Sequence, residues 1–170
     1  YANTTGVSNT TSGFESLYSN TTGNYNTASG VESLYSNTTG GYNTASGDNS
    51  LYNNTAGINN TASGVSSLYN NTTGDRNTAS GYQSLFSNTT GINNTASGSY
   101  SLYNNTTGDY NTAVGYNARA VPATAINQTV IGYDATGQAD NSVVLGNDSV
   151  TAVYMAEDSG ATVYAADAVF

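Results

Sequence analysis

Carboxylates and phenols are the only side chains in number that could do acid–base chemistry. The chain has eleven Asp and Glu and 15 Tyr, against two Arg and no Lys, His or Cys. General acid–base or nucleophilic catalysis would therefore fall to carboxylates alone. A glycosidase needs two of them facing each other across a cleft. Here they are scattered: Glu15 and Glu32 stand 17 residues apart, and Asp48, Asp75 and Asp109 sit at glycine-marked turns. Solvated turn residues are the expectation, with no catalytic residues and no enzyme activity. Hard cations favour clustered oxygens, so calcium could use Asp75 and Asp109, or Asp134, Asp140 and Asp148. No EF-hand or RTX-type spacing supports that use, and the expectation is a chain without a cofactor, calcium being the alternative.

Two other groups of residues could bind. N-x-[ST] triplets occur at Asn3, Asn20, Asn37, Asn71, Asn88 and Asn105. They would accept N-linked sugar in a eukaryotic secretory protein, but each is also a fixed position of an internal repeat, which gives it a structural reading. The tyrosines recur as Tyr18, Tyr35, Tyr52 and Tyr69, then Phe86 and Tyr103. Stacked aromatics can meet sugar rings or an apolar surface; packing between subunits is the preferred reading.

What must position these residues is the repeat. SLYSNTTGNYNTASG at residues 16–30 returns as SLYSNTTGGYNTASG from Ser33, and with small edits as far as residue 115. Gly13, Gly30, Gly47, Gly64, Gly81, Gly98 and Gly115 form one series at 17-residue intervals. A second series runs from Gly6 to Gly108 at the same interval. Fixed periods of this size mark stacked repeats. Two glycines and several Asn, Ser and Thr per period disfavour helices. Two short strands per coil, x-N-T-A-S and S-L-Y-S, with glycine supplying positive φ at each corner, fit instead. The fold expected is all-β, a parallel β-solenoid (β-roll) of 17-residue coils. Seven coils at strand spacing would span roughly 35 Å.

In-register stacking makes each repeat position a ladder. Leu17, Leu34, Leu51, Leu68, Leu85 and Leu102, with Ala28, Ala45, Ala62, Ala79, Ala96 and Ala113, are placed inside. The aromatic ladder beside each Leu must face outward. Asparagine ladders through Asn20 and Asn26 can bond amide to amide along the axis. One Leu and one Ala per coil is a thin core against the entropy of ordering 17 residues. A partner for the Tyr face is therefore expected, and three chains about a shared axis supply it most simply.

Composition narrows the partners. A net charge of −9 with 8% charged residues argues against nucleic acid and anionic membranes, which need clustered cations. No 18-residue apolar run is present, so no membrane insertion is expected.

The pattern changes after residue 111. NTAVG, NQTVIG at 127–132 and NSVVLG at 141–146 replace the outward Ser by Val114, Ile131 and Leu145, and the last step shortens to 14 residues. Both faces of these strands are apolar, so both are expected to be buried, and subunits are expected to lock here. Pro122 lies in the connection, as a non-pairing residue should. Three regions follow: 1–115, seven 17-residue repeats; 116–149, the modified coils; 150–170, a neck of two strands leading to a further domain.

The x-N-[ST]-[AV]-[VI]-G signature resembles the head repeats of trimeric autotransporter adhesins, which are trimers of left-handed parallel β-rolls. The longer phrase G-x-x-N-T-A-x-G-x-x-S-L-Y-x-N-T-T-G is similar to repeat regions of bacteriophage tail-fibre proteins. The resemblance implies a homotrimeric, structural and adhesive fibre in a virion, or on a bacterial cell surface, contacting a host glycan or receptor. End-to-end filament assembly and ice binding are the alternatives. For ice, Thr27 and Ser29 share a face in T-x-S fashion, although Thr in both columns would suit it better.

Overall fold

The computed structural model describes residues 3–153. Nine three-residue strands recur once per coil: β1 (Thr10–Ser12), β2 (Thr27–Ser29), β3 (Thr44–Ser46), β4 (Thr61–Ser63), β5 (Thr78–Ser80), β6 (Thr95–Ser97), β7 (Thr112–Val114), β8 (Thr129–Ile131) and β9 (Val143–Leu145). They form one parallel sheet in chain order. The register is residue for residue, Thr27 on Thr44, Ala28 on Ala45, Ser29 on Ser46. The 14-residue step keeps it, with Thr129 on Val143 and Ile131 on Leu145. The chain is thus an all-β solenoid of about 17-residue coils, and among the described residues no helix is long and apolar enough to cross a membrane. The two strands expected beyond residue 150 lie largely outside the described residues; 151–153 form none.

The second expected strand does not form. S-L-Y-S is an irregular run in which every core leucine has a left-handed backbone, φ between 48° and 54°. The residue two before each leucine is left-handed as well, with Glu15 at 51° and Glu32 at 54°. In a strand Ser16 would face away from Leu17; here both are buried. The Ser16 hydroxyl donates to the Gly13 carbonyl oxygen at 3.1 Å, which satisfies it inside the coil. Axial pairing survives without β geometry, because Leu17 N–H donates to Ser33 O in the next coil at 2.9 Å. Such φ values cost a non-glycine residue about 1–2 kcal/mol, and the buried leucine together with the axial bond offsets that cost.

The two glycine series are glycine for different reasons. Gly47 has φ +132°, a conformation few other residues adopt. Gly57 has no such backbone; a Cβ there would lie 2.5 Å from the Gly74 carbonyl oxygen and against the Asn54 amide. Both corners need close approach, since a Cβ at Gly47 would lie 2.6 Å from Gly64 C, but only one of them needs φ freedom as well, so the expectation of positive φ at both is corrected.

Inside, the Leu and Ala columns are fully covered, Leu34 to Leu85 at 0% exposure. They share the interior with amides. Asn54 Nδ2 donates to Asn37 Oδ1 at 2.9 Å, and the same link repeats from Asn20 to Asn105. In the second column Asn43 Oδ1 accepts from Asn60 N–H at 2.9 Å, while Asn43 Nδ2 donates to Gly57 O at 2.8 Å. No buried side-chain nitrogen or oxygen among the described residues lacks a partner. A core of this kind gains from paired polar groups what it lacks in apolar area.

Candidate functional site

The solenoid offers long surfaces, each a column of one repeat position, and a cleft near residues 119–149. The aromatic column is a stack: Tyr18, Tyr35, Tyr52, Tyr69, Phe86 and Tyr103 have successive ring centroids 5.1–5.3 Å apart and planes within 12°. Each interior ring has a neighbour over both faces. What the column presents outward is ring edges and hydroxyls, so sugars cannot lie flat on it in the way the ladder first suggests. Loss of solvent contact, and then the negative charge of Glu15, pushes the Tyr35 hydroxyl above its ordinary pKa of 10.0. Tyr52 shifts the same way, from loss of solvent contact and then Glu32.

The stack changes lane where the repeat degenerates. Ala120 stands where the next ring would be. Tyr103 instead meets Tyr100 at 5.7 Å, Tyr100 meets Tyr116 edge-on at 5.9 Å, and Tyr116 stacks on Tyr133 at 5.6 Å. An unbroken aromatic path thus runs from the first coils to the last. Reading one ladder at a time hides it, although an aromatic at 100 in the column of Glu15 and Glu32 was its signal.

On the sheet, the middle residue of β2 to β8 is buried, and β2 to β6 each expose the flanking Thr and Ser; in β1, at the end of the stack, Thr11 is exposed too. Ser97 pairs with Val114, then Ile131 and Leu145, so the expected subunit contacts continue the serine column. Their inward neighbours Ala113 and Val130 are buried and Val144 is partly so. The outward residues are 40–46% exposed in the single chain, and Val143 beside them is 67% exposed. The inner face is filled as expected; the outer one is left without cover by the described residues.

Several carboxylates have a structural task that spacing alone did not reveal. Asp48 Oδ1 accepts Val31 N–H at 2.9 Å, and Asp75, Asp109 and Asp140 accept the amides of Ile58, Ile92 and Ile126 at 2.8 Å. Each acid caps a corner amide of the preceding coil, charge-assisted and therefore stronger than a neutral bond. A Val or Ile one period before each Asp was the available signal. Asp134 Oδ1 takes the Asn117 amide. Among the described residues, no three acids gather in a way that could hold a metal ion. Asp134 and Asp148 line one cleft with Arg119, Gln138 and Asn147, about 470 Å³, at the C-terminal end of the stack; Asp140 is not part of it.

The sequon asparagines Asn20, Asn37, Asn71, Asn88 and Asn105 are buried with their amides committed to the ladder, and Asn3 is exposed at its end. Gln128 was missed altogether. Pro122 ends the Asn20 column, and buried Gln128 takes up the local backbone, its Nε2 donating to Val121 O at 2.7 Å and its Oε1 accepting Val121 N–H at 3.2 Å.

No protein-family model, curated protein or solved structure matches this chain. The solenoid architecture accordingly stands on its own geometry.

Proposed function

We propose that the chain is a structural and adhesive fibre segment, the shaft or head of a phage tail fibre that holds or forms a host receptor-binding surface. The observation carrying this reading is that every coil bonds only to its two neighbours, in one register from β1 to β9. A body built this way extends by copying a coil, and its products are long surfaces in place of an enclosed pocket. Copies associate as a homotrimer, covering the aromatic column and the apolar rungs Val114, Ile131 and Leu145. No reaction and no cofactor are assigned to it. The chain acts outside cells, in a virion or at a bacterial surface.

A cell-surface adhesin head is the second reading, favoured by the 14-residue coil that ends in NSVVLG. Binding of the labelled chain to whole bacteria and to arrayed envelope glycans tests the adhesive half. Saturable retention by one bacterial surface is the expected result. Retention by none would reduce the segment to a spacer.

A further inference from the structure

We propose that copies of the chain meet by unlike faces: the strand side of one, from Ser12 to Leu145, docks on the aromatic column of the next at the same axial level. The inference rests on the homotrimer reading and deepens it, naming the two mating surfaces and their register.

The first observation is reciprocal bulk. Each coil from β1 to β6 carries a small outward Ser on its strand and a ring six residues on, from Ser12 with Tyr18 to Ser97 with Tyr103. Ala62 and Leu68 share one core, and Ser63 and Tyr69, next to them in sequence, turn away from that core on its two sides. Nothing within one chain therefore couples the size of one column to the size of the other. Both change at the same coil nonetheless. Ser gives way to Val114, Ile131 and Leu145, which are 40–46% exposed. The rings stop after Tyr103: Ala120 is 3% exposed, and a Cβ on Gly137 would meet Val130 of the core at 3.3 Å, so both positions turn inward. The backbone is the reason, since Leu102 is left-handed whereas Arg119 bridges Thr136 in parallel β fashion. The aromatic path moves sideways to Tyr116 and Tyr133. Its old lane holds the half-buried Arg119 and Thr136, which line the cleft, and is low where the strand face is high.

The second observation is register. Small on large at six levels, then large on low, fits only without axial slip. A slip of one coil would set Val114 on Tyr103, or leave Ser97 over the vacated lane, an overpacked or an empty contact. A contact between unlike faces is heterologous, and it closes into a ring only when the operation is a pure rotation. A register without slip supplies that rotation, and three copies close it.

The third is area and charge. Nine rungs about 4.8 Å apart make a strip about 38 Å long, and six residues of coil face make it about 20 Å wide. The product is close to the about 800 Å² per partner of a stable interface. No charged residue lies on the nine strands. Glu15 and Glu32 flank the rings closely enough for their charge to act on Tyr35. Two ring columns meeting would bring these acids towards their own copies, whereas the strand face offers them no like charge.

Solution mass across a dilution series tests the pairing by size compensation. Ser63→Phe sets a ring against Tyr69 of the next copy and is expected to weaken association by about tenfold or more. Circular dichroism should not change, since Ser63 is exposed. Ser63→Phe with Tyr69→Ala restores bulk against a small partner and is expected to recover the trimer. Ser63→Phe with Tyr35→Ala, two coils away, is expected not to. Cross-linking reads the same contact without relying on association strength, because the chain has no Cys. Packed sheets lie about 10 Å apart, too far for a disulfide, so a short bismaleimide is used. Ser63→Cys with Tyr69→Cys should give a covalent trimer on a denaturing gel, and Ser63→Cys with Tyr35→Cys should not. Equal rescue by Tyr69→Ala and Tyr35→Ala overturns the inference, as does an unchanged mass in Ser63→Phe. So does a covalent dimer from Ser63→Cys alone, which would show like faces meeting. Any of these in a chain of trimeric mass leaves the fibre reading standing. A monomeric wild-type chain removes that reading and the inference with it.

Discussion

Asn54→Ala removes the middle of a buried amide ladder. Three bonds go: Asn54 Nδ2 to Asn37 Oδ1 at 2.9 Å, Asn54 Nδ2 to Gly57 O at 3.1 Å, and Asn71 Nδ2 to Asn54 Oδ1 at 2.8 Å. Their losses are not equal. Gly57 O still accepts from Asn43, and Asn71 Nδ2 still donates to Gly74 O. Asn37 Oδ1 is left buried with no donor. An orphaned buried acceptor costs about 1–3 kcal/mol, and each replaceable bond about 0.5–1 kcal/mol. The total is about 3 kcal/mol. At about 2–4 °C per kcal/mol for a chain of this size, the melting temperature should fall by about 6–12 °C. Asn3→Ala, at the exposed end of the same column, should cost less than about 0.5 kcal/mol, because water replaces its partners. Denaturant unfolding followed by circular dichroism gives both numbers. Hydrogen exchange should place the lost protection in the coils of β3 to β5, since coils communicate only with neighbours. A loss below about 0.5 kcal/mol in Asn54→Ala, no more than an ordinary surface substitution gives, would refute the view that amide ladders hold the core together. Equal losses in the two variants would refute it as well.

Two further outcomes follow from other parts of the coil. Gly57→Ala forces a Cβ against the Asn54 amide and the Gly74 carbonyl oxygen, and should cost at least about 3 kcal/mol, as overpacking does at its upper end; unfolding midpoints check it. The raised pKa values of Tyr35 and Tyr52 mean that the folded state favours the neutral phenol. Their contribution to stability is complete below pH 10.0, the ordinary value, and is lost as pH rises through the higher folded values. Ultraviolet titration should show part of the phenols ionising late, and Glu32→Gln should bring Tyr52 down towards the ordinary value.

The coil period, the Leu and Ala interior and the parallel register were legible because stacking turns sequence position into spatial position. An uninterrupted 17-residue glycine series leaves little else for Ala28 and Ala45 to do. The local backbone was not legible to the same depth. S-L-Y-S has the composition of a strand, and nothing in Leu17 announces a left-handed φ; only the burial of both Ser16 and Leu17 reveals it. The Gly6 and Gly13 series look alike in sequence, and a Cβ would collide with the next coil in both, yet only the Gly13 series also has a positive φ. The acids' structural task was not legible, because their partners are backbone amides one coil away, which leave no side-chain signature. The outward column was legible as a column, from Ser29 to Leu145, but what lies against it depends on copies or surfaces outside the chain.

The mass of the chain in solution tests the fibre account most directly. Multi-angle light scattering at low micromolar concentration, with no ligand added, is predicted to give three times 17.4 kDa. That value would place the aromatic column and Val114, Ile131 and Leu145 between subunits. A stable species of 17.4 kDa would contradict the trimeric fibre and leave those surfaces uncovered.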